Sequence, residues 1–257
     1  MRIVILGAGN LATHLSLALQ QSGQQIVQIF SKTTNSAAGL ANKLHVDYTT
    51  DPLDIVQDAD VYFYAVSDDA LDALLQLPVA PQAVHVHTAG SVSIDIFHGR
   101  KKKYGVFYPL QTFSKAKQPD FKKIPVFVES SAPDVEEVLF QLANAVSEQV
   151  HKINSEQRLR LHLAAVFACN FVNHLYHIAS DVVSSAGLPF EVLKPLILET
   201  AEKVMELSPE EVQTGPAKRN DQGVINKHLE VLGEHPALKK LYRDLSDMIL
   251  NQYLHQS

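Results

Sequence analysis

The sequence predicts an α/β protein in two parts: a doubly wound, mostly parallel sheet over residues 1–152, then an all-helical domain over residues 153–257. Three observations predict it. Short apolar runs alternate with helical patterns up to about Lys152, and that alternation makes a parallel sheet wrapped by helices. Some runs, such as Val61-Tyr62-Phe63-Tyr64-Ala65, are apolar throughout, as a strand covered on both faces requires. Past Ser155 no convincing strand pattern remains.

The elements follow in order. Ile3–Leu6 is a β-branched apolar strand that breaks at Gly7 and restarts as an amphipathic helix over Asn10–Gln21. Further strands read at Ile26–Phe30, Val61–Ala65, Val84–His87, Tyr104–Phe107 and Val126–Val128. Helices fit at Ser36–Leu44, Ala70–Leu75 and Asp134–Ala145. Ser155 can cap a long helix running to about Ala186, ended by Gly187 and followed by Pro189. Helices over about Phe190–Leu207, Gln222–Leu232 and Pro236–Gln252 complete the chain. Two such domains place a cleft between them, at the carboxyl ends of the strands.

The turn after the first strand reads Gly7-Ala8-Gly9-Asn10-Leu11-Ala12, a Gly-x-Gly-x-x-Ala pattern between strand and helix. Gly7 makes the sharp turn, Gly9 lets a pyrophosphate approach the backbone, and Ala12 lets the helix pack close. The first helical N–H groups, at Asn10 and Leu11, then face the phosphates. The alternative is an ordinary tight turn. After the second strand stands Ser31-Lys32-Thr33-Thr34, with no carboxylate. An Asp or Glu there would bind the ribose 2′-OH of NAD; three hydroxyls and a cation suit the 2′-phosphate of NADP. Val66 and Ser67 after the Val61–Ala65 strand, and Thr88 and Gly90 after the Val84–His87 strand, are candidates to line the nicotinamide half of the same site; the alternatives are a helix cap at Ser67 or Asp68 and an ordinary turn at Thr88–Gly90.

Composition bounds the function. The net charge is −6, so nothing suggests a nucleic-acid binder. Cys169 is the single cysteine, which excludes an intrachain disulfide and fits a cytoplasmic location. The N-terminus lacks signal-peptide architecture, and no apolar run is long enough to span a membrane. Twelve histidines are present without His-Glu-x-x-His spacing or a cysteine ligand set, so no metal site is expected. Eight of the 22 basic residues fall between Arg100 and Lys123, either as solvated loops or as a rim attracting an anion.

Four ordered segments carry a family resemblance. They are Gly105-Val106-Phe107-Tyr108-Pro109-Leu110-Gln111-Thr112-Phe113, the stretch from Leu161 to Leu175 containing Ala168-Cys169-Asn170-Phe171-Val172-Asn173-His174, Leu193-Lys194-Pro195-Leu196, and Thr214-Gly215-Pro216-Ala217-Lys218-Arg219-Asn220-Asp221. Through them the chain resembles bacterial Rossmann-like oxidoreductases with a helical C-terminal domain of unknown function. Those are similar to pyrroline-5-carboxylate reductase, ketopantoate reductase and the 6-phosphogluconate and hydroxyacid dehydrogenases. The resemblance implies NAD(P) chemistry and a homodimer formed through the helical domain. It supplies no substrate. Hydroxyacid dehydrogenases carry a Lys four residues before an Asn on the long helix, where this chain has Val166 before Asn170.

At about 100° per residue, His162, Asn170, Asn173 and His177 fall within an arc of about 80°. His162 is the candidate general acid, since imidazoles titrate near neutral pH. Asn170 is the candidate catalytic partner that orients substrate or nicotinamide, and Asn173 a candidate substrate contact. The alternative is buried polar groups satisfied by neighbouring helices. Thr214 and Arg219 suit the carboxylate or phosphate of an anionic small-molecule substrate; Arg219 could instead form an interdomain salt bridge. Lys194 and His177 are weaker candidates. The expected function is NADP-dependent hydride transfer to or from a small C=O or C=N substrate in the cleft. Its rival is an NADP(H)-binding sensor without turnover.

Overall fold

A computed structural model describes residues 1–77 and 79–254. Eight strands form one sheet: β1 (Arg2–Leu6), β2 (Gln25–Phe30), β3 (Asp47–Thr49), β4 (Val61–Tyr64), β5 (Val84–His87), β6 (Lys103–Pro109), β7 (Val126–Ser130) and β8 (Val150–Lys152). Their order across the sheet is β3-β2-β1-β4-β5-β6-β7-β8. Every pairing is parallel except β6 with β7. Helices α1 (Asn10–Gln21), α2 (Thr34–Leu44), α3 (Asp68–Leu75) and α4 (Pro133–Val146) connect them. The expected doubly wound sheet is present, with two short strands, β3 and β8, that the sequence pattern does not reveal.

Strand alternation builds the core on both faces. Ile3 and Ile5 of β1 join Val61 and Phe63 of β4 under α1, α2 and α4. Val4 and Leu6 point the other way and join Tyr62, Tyr64 and the α3 leucines Leu71, Leu74 and Leu75. Four consecutive buried residues in β1 and in β4 are the result of this double coverage.

The last strand ends at Lys152, and only helices follow among the described residues. The long helix has three stretches: α5 (Ser155–Ala165), a π-helical turn over Val166–Phe171, and α6 (Val172–Ser185). Its cap is Asn154 and not Ser155. The Asn154 side chain accepts from the Gln157 N–H at 2.8 Å, and the Gln157 side chain accepts from the Asn154 N–H at 2.9 Å. This reciprocal pair satisfies two donors at once, which a Ser155 cap could not do here. Chain contacts divide the molecule into two compact units, Met1–Leu175 and Tyr176–Ser257. The second holds α7 (Lys194–Glu206), α8 (Pro209–Val212), α9 (Gln222–Val231) and α10 (Pro236–Leu254). No helix among the described residues is long and apolar enough to cross a membrane.

The basic run serves structure. Arg100 pairs with Asp72 at 2.6 Å, Lys103 with Asp134 at 2.8 Å, and the Lys101 ammonium donates to Leu77 O at 2.8 Å.

Candidate active site

The carboxyl ends of β1, β2, β4 and β5 surround a cavity of about 470 Å³. The glycine turn forms its floor. Gly7 has φ +121°, and a Cβ there would lie 2.1 Å from Ala65 O, so only glycine fits between β1 and β4. Gly9 lines the cavity, and a Cβ added to it would meet nothing within 4 Å. That open space lets a large group approach the backbone. The N-terminus of α1 has no side-chain cap and no acidic residue in its first turn, so its N–H groups are available to an anion. Ala12 is fully buried and lets α1 lie close to the sheet.

Several of the residues singled out in the sequence come together here. Leu11, Asn10, Ser31, Lys32, Val66, Ser67 and Thr88 all border the cavity. Among the described residues that line it there is no carboxylate, and Lys32 is the one cation. Such a donor set fits a polyanion with several phosphates. Thr33 and Gly90 do not line it. Thr33 precedes α2 and donates its hydroxyl to Ser36 Oγ at 2.9 Å. The Asp68 carboxylate accepts from Ser91 Oγ at 2.6 Å. The Asn10 side chain donates to Phe113 O at 2.9 Å, holding the loop after β6 beside the start of α1.

Gly90 has a different neighbour. A Cβ there would lie 2.6 Å from Nδ1 of His162, so the imidazole rests directly on the Gly90 backbone. Thr88 and Ala89, just before it, line the cavity, and His162 therefore stands at its edge. The Tyr108 hydroxyl is 3.0 Å from the same Nδ1. Burial pushes the Tyr108 hydroxyl above its ordinary pKa, and the Arg158 charge opposes that rise. Arg158, one turn before His162 on α5, is 1% exposed. Its guanidinium bonds the Glu129 carboxylate of β7 and Val92 O, and donates to Ser155 Oγ at 3.2 Å. Glu129 also accepts from the Ser155 N–H at 2.9 Å. A buried ion pair thus ties the start of α5 to β7 and fixes where His162 falls. Tyr108, Arg158 and Glu129 carry no local signal that singles them out. For Tyr108, its place in the Gly105–Phe113 segment that carries the resemblance and near the end of β6 could have suggested it.

The other candidates are more scattered. The π turn takes more than 3.6 residues per turn, so it rotates Asn170 and all later residues away from the uniform 100° phase. The single polar arc from His162 to His177 is therefore not preserved. Asn170 and Asn173 are exposed, and His177 faces Asp181 at 3.9 Å. In the second unit, Thr214 and Arg219 are exposed on the loop before α9, where Gly215 has φ +110°. Lys218 lies over the Tyr253 ring at 4.5 Å, and Lys194 pairs with Glu191 at 3.1 Å. Among the described residues no group of three or more His, Cys, Asp or Glu is placed to hold a metal ion.

Comparison with known proteins follows this geometry. Residues 2–95 match the family described as NADP oxidoreductase coenzyme F420-dependent, and residues 124–249 match a domain of unknown function, DUF2520. A Bacteroides fragilis protein provisionally named an NADP oxidoreductase is 46% identical, with 97% of this chain and 98% of that chain covered at a TM-score of 0.94. Two more distant structures share the fold over their full length. A 1-pyrroline-5-carboxylate reductase from Streptococcus pyogenes is 14% identical at a TM-score of 0.65, covering 98% of both chains. An imine reductase from Myxococcus stipitatus, in complex with NADP+, is 16% identical at 0.63, covering 99% of this chain and 100% of that one. No curated protein matches the sequence. The chain belongs to the family that joins an NADP oxidoreductase Rossmann domain to a DUF2520 C-terminal domain.

Proposed function

We propose that this protein is an NADP-dependent oxidoreductase that moves a hydride between nicotinamide and a C=O or C=N carbon of a small substrate. His162 is its proton donor. The observation that carries this reading is the placement of His162 on Gly90, at the edge of a carboxylate-free cavity whose floor is the glycine turn. When bound, the cofactor supplies the hydride chemistry. The N–H groups of α1 hold its pyrophosphate, Ser31 and Lys32 hold its 2′-phosphate, and His162 exchanges a proton with the substrate heteroatom. The fold shared with a pyrroline-5-carboxylate reductase and an imine reductase favours a C=N carbon, by analogy. The test is NADPH oxidation against cyclic imines, beginning with 2-methyl-1-pyrroline, and against simple ketones. Tight NADPH binding with no oxidation across both sets would identify a sensor instead.

Cofactor choice gives a sharper expectation. Lys32 is exposed at the cavity, and a charge-assisted hydrogen bond contributes about 1.5–3 kcal/mol. Lys32→Ala is expected to weaken NADPH by about tenfold or more and to leave NADH almost unchanged. Titration of both cofactors by their own fluorescence is free of Trp background, since the chain has none. An unaltered NADPH affinity sinks the 2′-phosphate assignment.

Assembly belongs to the same reading. Leu159, Leu163, Phe167 and Phe171 follow one another at four-residue spacing along the long helix, and all are exposed, Phe167 at 58%. Among the described residues of the second unit, the buried apolar side chains are Ala217, Ile225 and Leu229. So small a core does not hold a helical unit alone. A homodimer covers these faces. Light scattering is expected to give about 57 kDa, twice 28.4 kDa. The double change Phe167→Glu and Phe171→Glu is expected to break the dimer. A monomer at micromolar concentration in the unaltered protein counts against the dimer.

A further inference from the structure

The contact between Tyr108 and His162 joins residues 54 positions apart in the chain. The rings meet edge to face at a centroid distance of 6.1 Å. Tyr108 stands in β6, between β5 and β7, and is buried. Gly90 contacts the imidazole, and α5 carries it from behind through the buried Arg158–Glu129 pair. The His162 ring is thus held by a strand, a turn and a helix, and its Nδ1 has a defined partner.

That partner decides which nitrogen can act. A neutral imidazole carries one proton, and the nitrogen that accepts a hydrogen bond leaves the proton on the other. Among the described residues the Tyr108 hydroxyl has one hydrogen-bond partner, this Nδ1, and a buried phenol with one nitrogen partner donates to it rather than leave its own O–H unpaired.

We propose that Tyr108 is a positioning residue: its hydroxyl donates to Nδ1 of His162, fixes the Nε2–H tautomer, and so makes Nε2 the atom that delivers a proton to substrate. This rests on the reading of His162 as general acid. In the reducing direction the hydride goes to the substrate carbon, and the Nε2–H bond breaks as a new O–H or N–H bond forms on the substrate. The Tyr108 Oη–H bond breaks as the Nδ1–H bond forms, leaving a phenolate that burial disfavours and the Arg158 charge favours. Solvent returns the proton.

The tautomer is measured without substrate. Full-length protein labelled with ¹⁵N-histidine gives ring nitrogen signals in long-range ¹H–¹⁵N spectra, and His162→Gln identifies those of His162. Near pH 8 the unaltered protein is expected to show an unprotonated Nδ1 and a protonated Nε2. Tyr108→Phe keeps the ring and removes the donor. It is expected to release the tautomer to a mixture and to lower kcat on 2-methyl-1-pyrroline by about tenfold or more, with KM and NADPH affinity little changed. A protonated Nδ1 in the unaltered protein overturns the proposal, and this holds even if Tyr108→Phe does not fold. Identical His162 signals in Tyr108→Phe also overturn it. Absence of turnover on every imine and ketone sinks the oxidoreductase reading, while the spectra still decide the tautomer.

Discussion

His162→Gln is expected to slow turnover by about 10²–10⁴-fold while NADPH binds as before, the usual cost of losing a general acid. Glutamine has similar bulk and can still accept from Tyr108, so the change removes the transferable proton more than the packing. The ring touches Gly90 and Tyr108, whereas the cavity proposed for the cofactor is lined by the glycine turn, Ser31, Lys32 and Thr88. Binding and chemistry therefore separate in space and are expected to separate in measurement. Turnover at saturating NADPH, NADPH affinity and melting temperature are measured on the same preparation. Full activity per folded molecule would remove His162 from the mechanism, whatever happens to stability. A lowered melting temperature with unaltered turnover would assign it to packing alone.

Most of the cavity at the strand ends is legible in the sequence because its residues lie in short contiguous segments. Gly7 to Ala12 is a strand end, a turn and a helix start, so local pattern fixes the geometry. Ser31 and Lys32 follow directly from the end of β2. The short strands β3 and β8 are not legible. Asp47-Tyr48-Thr49 and Val150-His151-Lys152 contain too few apolar residues to show a period of two, and they become strands by pairing with β2 and β7. The helix starts one residue earlier than a Ser155 cap implies. Asn154 and Gln157 have the spacing of a reciprocal cap, while the adjacent Ser155 hydroxyl turns to Glu129. The π turn at Val166–Phe171 leaves no mark in a segment that is mostly apolar on every side. The Tyr108–His162 and Glu129–Arg158 contacts depend on how α5 lands on the sheet, which no local pattern encodes.

Acidification from pH 7 to pH 5 is expected to cost the fold about 4 kcal/mol, through two buried histidines of β5. His85 Nε2 donates to Ala80 O at 3.0 Å, so its Nδ1 accepts from the Tyr64 hydroxyl at 3.0 Å and the ring is neutral. Burial, aided by the Lys101 charge, pushes its pKa down from 6.5 to about 4. His87 is fully buried, its ring stacked on Phe97 at 5.5 Å, and its Nδ1 accepts from the Ala89 N–H at 3.2 Å. Burial, aided by Arg158, pushes its pKa down to about 3. Unfolded, both rings take up a proton near pH 6.5; folded, they resist until about pH 4 and pH 3. Their stabilisation is therefore complete above about pH 6.5 and is lost as pH falls toward the folded values. The slope is about 1.4 kcal/mol per pH unit for each ring, so two rings over about 1.5 units give the expected loss. Urea midpoints at pH 7 and pH 5, at one protein concentration, measure it. His85→Asn is expected to halve the pH dependence, whatever it does to stability at pH 7. Equal midpoints at the two pH values in the unaltered protein would mean that both rings accept protons within the fold, and the neutral packing of β5 would then be wrong.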